Sequence, residues 1–234
     1  MRADHEHDGA EGLRERKKRL LRQRLSDTAT EMFLDRGFDA VRVIEVAAAC
    51  DVSEKTVYNY FPTKESLILD RWEATTAAIQ AGIADTRVSP VDAVLRILAG
   101  ELGALTAWLR AQPDLSEATA SVRRFGQLIA STPALRSYQS DTLTGLTEVA
   151  AQALAGRYGL SPDEPEPQVA AVALLGLWHI HFRALGKYLD GTVALDQVEK
   201  AVSGEVERAG QLIADGLRRL GSAPRGRSAA TALA

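Results

Sequence analysis

The chain has 234 residues, 46% of them hydrophobic and 25% charged, and a formal net charge of −3. This excludes a fibrous or wholly disordered chain and a uniformly basic nucleic-acid coat, and the length suits one large domain or two small ones. The longest nearly apolar run, Val169 to Trp178, falls short of the roughly 18 residues of a membrane helix. The start is charged without an apolar leader core, and the single Cys50 has no partner for an intrachain disulfide. The expectation is a cytoplasmic protein with no membrane partner.

Residues 1–13 are polar and without period, which predicts a disordered tail. A first helix follows over 14–36, with Leu21, Leu25, Ala29, Met32 and Phe33 on one stripe and Gly37 as its stop. Its start is basic: Arg14, Arg16, Lys17, Lys18, Arg19, Arg22 and Arg24 stand against Glu15 alone. Such a run is either a solvated helix start or a surface that attracts phosphate. A short helix over 43–50, a turn at Asp51 and a second short helix capped by Ser53 and ending near Phe61-Pro62 form a helix-turn-helix pattern. Val46, Ala47, Cys50, Val52 and Val57 supply its small core, with Cys50 as a plain buried hydrophobe. Thr63 caps a fourth helix that runs to Ala84.

Beyond Ser89-Pro90, a cap followed by a first-turn proline, the pattern is helical throughout. Helices are expected over 90–110, 114–130, 133–158, 167–189 and 195–220, with a Pro-rich loop over 159–167 and a disordered tail over 221–234. The fold class is therefore all-α with about nine helices. The domains are a helix-turn-helix domain over 14–72, with its motif at 42–61, and a second helical domain over 73–220.

The segment from Leu25 to Leu67 resembles the DNA-binding domain of TetR-type transcriptional regulators. The resemblance rests on Leu25, Ala29, Phe33, Gly37-Phe38, Val43-Ile44-Glu45-Val46-Ala47, Val52-Ser53, Thr56-Val57-Tyr58-Asn59-Tyr60-Phe61 and Lys64-Glu65. There are two departures. Arg42 stands where the family usually has a threonine that caps and touches phosphate, and it can pair with phosphate but cannot cap by accepting, leaving Asp39 as an upstream cap. Asp51 replaces the turn glycine, at modest cost in a left-handed conformation.

The resemblance implies double-stranded DNA as partner and a near-palindromic operator. Its expected contact residues are Arg42, Val43, Ser53, Glu54, Lys55, Thr56, Tyr58, Asn59, Tyr60 and Lys64. Read physically, Lys55 reaches guanine acceptors, Asn59 pairs adenine and Glu54 accepts from cytosine. The hydroxyls of Thr56, Tyr58 and Tyr60 are assigned by the resemblance mostly to phosphates; the alternative for Tyr58 and Tyr60 is packing beneath the helix. Lys64 is assigned a phosphate at the fourth helix start, where helix N–H groups would share it.

The family architecture also implies a homodimer and a small-molecule effector. Leu195, Val198, Val202, Val206, Ala209 and Ile213 repeat at steps of three and four, like a helix–helix seam, and are read as the dimer interface; the alternative is core packing within one chain. Trp108, Phe125, Trp178, His181 and Phe182 are candidates for the effector pocket, each also readable as core. His179 and His181 diverge on a helix and do not form a metal pair. No catalytic motif, metal cluster or cofactor loop is found, so neither enzyme activity nor a cofactor is expected. The leading reading is a repressor released from its operator by a ligand. An activator without a small ligand, an architectural or cell-division DNA-binding protein, and a ligand-binding protein that has lost DNA binding are the alternatives.

Overall fold

The computed structural model describes residues 12–69 and 72–217. Within them the chain is all-helical: α1 (Leu13–Arg36), α2 (Val43–Ala49), α3 (Glu54–Tyr60), a 3-10 turn (Glu65–Leu67), α4 (Trp72–Ala84), α5 (Pro90–Arg110), α6 (Leu115–Ser131), α7 (Pro133–Tyr158), α8 (Pro165–Tyr188) and α9 (Leu195–Leu217). The expected C-terminal tail and most of the N-terminal one lie outside the described residues. The chain divides into two compact units. One comprises residues 1–70 with 128–136, and the other 71–127 with 137–234.

In the first unit, Leu25, Ala29 and Phe33 of α1 are fully buried together with Val46, Val57, Phe61 and Leu67. The chain leaves α1 through Gly37, whose φ of 86° no side-chain-bearing residue adopts cheaply. Phe38 then returns to pack on Phe33, ring centroids 5.0 Å apart. Asp51 takes the left-handed conformation at φ 56° between α2 and α3, as the sequence predicts.

The fourth helix differs from expectation. Instead of running from Thr63 it is interrupted by the 3-10 turn and resumes at Trp72. Local side chains compete with the helix here. The Thr63 amide donates to Ser66 Oγ and the Ser66 amide to Thr63 Oγ1, each at 3.2 Å, while Ser66 Oγ donates to the Thr63 carbonyl at 2.7 Å. The Leu67 carbonyl at the end of the 3-10 turn accepts from Ser26 Oγ at 2.8 Å.

In the second unit α8 is deeply packed, burying Ala171, Leu174, Leu177, Trp178 and Ala184. By length and composition α8 could cross a membrane, a longer apolar stretch than the ten-residue run suggested. Its inner face, however, is packed against α5 and α9. Gly210 lets α9 approach α5 closely, since a Cβ there would lie 3.2 Å from Leu95 and Val91. Arg110 of α5 pairs with Asp196 at 2.6 Å and Glu199 at 3.0 Å on α9.

This packing corrects the expected dimer seam. Leu195, Val198, Val202 and Val206 are buried inside the single chain, and Ala209 and Ile213 pack half-buried on the same core. A stripe at steps of three and four reports that a helix has one apolar face, not which chain covers it. Accordingly, Val202→Glu places a carboxylate within the core of the second unit, at a cost of several kcal/mol that rivals a domain's whole margin of about 5–15 kcal/mol. The expected outcome is loss of helical circular dichroism or a collapsed melting temperature; a variant that melts like the wild type would contradict this packing.

Candidate DNA interface

The seven residues of α3 are oriented by one cap and two anchors. Ser53 caps the helix, its Oγ accepting from the Thr56 amide at 3.1 Å and sharing a hydrogen bond with Thr56 Oγ1 at 2.8 Å. Val57 and Phe61 are fully buried. Helical periodicity then turns Glu54, Lys55, Tyr58 and Asn59 outward on one face, and all four are exposed. Thr56 and Tyr60 are half-buried at its edge.

The start of α2 is held by Glu45 rather than by Asp39, the cap expected from the sequence. Glu45 Oε2 accepts from the Arg42 amide at 2.8 Å, and Oε1 accepts from the Arg36 guanidinium at 2.8 Å. This is the back-reaching half of a capping box. The Arg42 amide, followed by Arg36, lowers the Glu45 carboxyl to a pKa of about 2. Arg42 also lies 3.5 Å from Glu45, yet its side chain remains 78% exposed.

Two expected contact residues are placed otherwise. The Val43 side chain is buried in the core, so it presents no contact surface. Lys64 precedes the 3-10 turn instead of opening a helix. Its Nζ donates to the Phe38 carbonyl at 2.6 Å and lies 4.3 Å from the Phe38 ring centroid. The ammonium thus clamps the loop between α1 and α2, with its remaining donors uncommitted by that bond.

The basic run of α1 also resolves into parts. Arg22 is internal, donating to the Tyr60 carbonyl at 2.9 Å with its guanidinium 4.8 Å from the Phe61 ring centroid. Arg24 pairs with Asp51 at 3.5 Å. Arg14, Lys17 and Lys18, with Leu13, Glu15 and Leu21, border an open groove of about 820 Å³ whose other side is Asn59 and Tyr60. The motif gave no sign that the start of α1 and the end of α3 meet.

The five candidate effector residues do not line one pocket, although the rings of His181 and Phe182 meet edge-on with centroids 5.5 Å apart. Trp108 and Phe182 are somewhat under half exposed, Phe125 is half-buried, and Trp178 and His181 are buried. Of the five, only His181 borders the small cavity of about 40 Å³ between α5, α8 and α9, beside Leu98, Leu102, Val202, Ser203 and Glu207. Burial lowers the pKa of its imidazole. Trp178 Nε1 instead donates to Glu101 Oε2 at 3.2 Å, and Thr75 of α4 donates to Glu101 Oε1 at 3.1 Å. Desolvation raises the Glu101 pKa despite these two bonds. The sequence reading missed Glu101, although it falls on the stripe of Val94, Leu98 and Leu105, where a carboxylate is out of place.

Residues 25–70 match the family pattern of bacterial regulatory proteins of the tetR family, and residues 102–188 match the MftR C-terminal domain. The chain belongs to the TetR family. Among the relatives of this TetR-family protein, MftR of Mycobacterium tuberculosis, named for the regulation of mycofactocin biosynthesis, is 29% identical over 153 residues, 65% of this chain and 73% of that protein. The HTH-type transcriptional regulator TcmR of Streptomyces glaucescens is 35% identical over 72 residues, 31% and 32% of the two chains. A solved TetR transcriptional regulator from Rhodococcus sp. RHA1 is 20% identical with a TM-score of 0.45, covering 86% of this chain and 99% of that one.

This TetR-family chain is thus a DNA-binding transcriptional regulator with a helix-turn-helix in its first unit. The geometry of Glu45 makes part of that unit's stability pH-dependent. A carboxyl whose folded pKa is about 2, below its ordinary 4.5, contributes fully above pH 4.5 and loses that contribution as pH falls toward 2. Glu45→Gln should therefore be less stable than wild type at pH 7, with the difference narrowing as the pH drops through this window. Denaturant midpoints measured against pH test this; a gap independent of pH would deny Glu45 its charge-dependent role.

Proposed function

We propose that this TetR-family regulator works in the cytoplasm as a homodimeric repressor of a near-palindromic operator and is released by a small-molecule effector. The observation that carries this reading is α3: a short helix whose anchors are buried and whose exposed face holds Glu54, Lys55, Tyr58 and Asn59. Those residue types read base edges and phosphates in a major groove. Arg42, Ser53, Thr56 and Tyr60 flank that face as backbone contacts. An effector that favours a conformation whose paired α3 helices no longer match successive major grooves would lower operator occupancy by population shift. Thr75 of α4 and Trp178 of α8 both donate to Glu101, which makes this partly buried polar cluster, together with the His181 cavity, the best-supported place for the effector to act.

For dimerisation the support moves from the buried stripe of α9 to the outer face of α8. Val169 and Val172 are 68% and 62% exposed, and Gly176, His179 and Arg183 continue the same face. Leu212 of α9 is exposed as well. Two exposed valines continued by a glycine and two polar side chains at steps of three and four suit a second copy of the same helix across a two-fold axis.

Selection from a random duplex library should yield an inverted repeat, and reporter transcription should rise when the gene is deleted. Dispersed sites without symmetry would favour the architectural alternative, and a fall in transcription would favour an activator. In the same selection Lys55→Ala should relax one base pair per half-site, by about 1–3 kcal/mol; an unchanged motif would mean that Lys55 does not read bases. Val169→Glu with Val172→Glu should give a folded monomer by sedimentation and circular dichroism, with operator affinity lost. A variant that stays dimeric places the interface elsewhere.

A further inference from the structure

We propose that the first two turns of α1 form a phosphate-gripping arm that holds the DNA backbone beside the groove entered by α3. This rests on the reading of α3 as the recognition helix. Leu25 is the first buried residue of α1, and residues 12–20 are all exposed. The helix thus projects about 12 Å, at 1.5 Å per residue, before Leu21 and Arg22 become half-buried against the unit. Hydrophobic packing does not explain its charge pattern. Arg14, Lys17 and Lys18 fall at i, i+3 and i+4, so they share one face, and like charges at that spacing destabilise a helix.

That face is directed. Arg14, Lys17 and Lys18 border the groove whose far side is Asn59 and Tyr60 at the end of α3. Glu15 is the one acidic residue in its lining. None of the three cations has an ion pair or side-chain hydrogen bond among the described residues, whereas Arg22 and Arg24 of the same run are bonded inside the unit. A polyanion running past Asn59 and Tyr60 would relieve the repulsion between these cations and neutralise them together. The arm contributes affinity without sequence preference, because phosphates carry no base information.

The test is equilibrium binding of the full chain to a 30-bp duplex of arbitrary sequence and to the duplex selected by the wild type, each across a salt series. Each phosphate neutralised contributes about 0.9 to the slope of log affinity against log salt. Replacing Arg14, Lys17 and Lys18 together by Gln should make that slope shallower by two to three on both duplexes, with helical content unchanged by circular dichroism. The wild type's advantage should then shrink by about 40-fold between 50 and 200 mM salt. Arg14→Lys with Lys17→Arg and Lys18→Arg should keep the wild-type slope. A Gln variant with the wild-type slope, or one that loses affinity only for the selected duplex, overturns the arm while leaving the α3 reading intact. A wild type that binds neither duplex overturns both.

Discussion

A helix of seven residues does not persist in water by itself, because nucleation costs more than two turns of hydrogen bonds return. α3 exists because Val57 and Phe61 are buried in the core of the first unit and because Ser53 satisfies a free amide at its start. The rest of that unit serves this constraint. Arg22 takes up the Tyr60 carbonyl at the end of α3. Lys64 fixes the loop that leads into α2, and Glu45 closes the start of α2. Three ionisable side chains that a motif reading assigns to DNA, or leaves as surface, are here the struts of a small scaffold. The outward face of α3 is positioned to the extent that these struts hold it.

What the sequence made legible follows from which signals are local. Helix boundaries depend on caps, glycines and prolines within a few residues, so Ser53, Ser89 with Pro90, Gly37 and Pro133 marked their elements correctly. Asp51 was readable as a left-handed turn for the same reason. The 3-10 turn before the fourth helix was less legible, since its bonds combine the local Thr63–Ser66 exchange with Ser26, some forty positions upstream. Partner identity was illegible altogether. The Val202 stripe says that α9 buries one face, and only the fold shows that α5 and α8 do the burying. Lys64 shows the same limit: its spacing fits a phosphate contact, but the distance to Phe38 gives it an internal bond first.

The second unit sets polar groups into a helical core that apolar residues would fill more cheaply. Glu101 is desolvated between α4, α5 and α8, and His181 is enclosed against α5 and α9. Both shifts favour the neutral form of the group, as expected where burial outweighs hydrogen bonding. Such positions are retained at a cost in stability, and a protein that must hold two conformations of similar energy is one setting in which that cost is useful. The remaining effector candidates are separate because aromatic residues on helices are placed by core packing as often as by a ligand. Composition alone cannot tell these apart.

Charge placement rather than charge total reconciles an acidic chain with a nucleic-acid partner. The described part of the first unit over 12–69 carries eleven Lys and Arg against nine Asp and Glu, whereas the whole chain is at −3. A surplus of two would attract a polyanion only weakly if it were spread evenly. Seven of those cations instead lie between Arg14 and Arg24, and the structure divides that cluster by its contacts. Arg22 and Arg24 tie α1 to the chain around α3, while Arg14, Lys17 and Lys18 face the groove beside Asn59 and Tyr60. At an ionic strength near 0.15 M, screening extends over about 8 Å, so a phosphate in that groove responds to these nearby cations far more than to carboxylates beyond that range. On the proposed reading, the acidic balance elsewhere opposes attraction to arbitrary anionic surfaces, and the local cluster supplies attraction beside the face of α3.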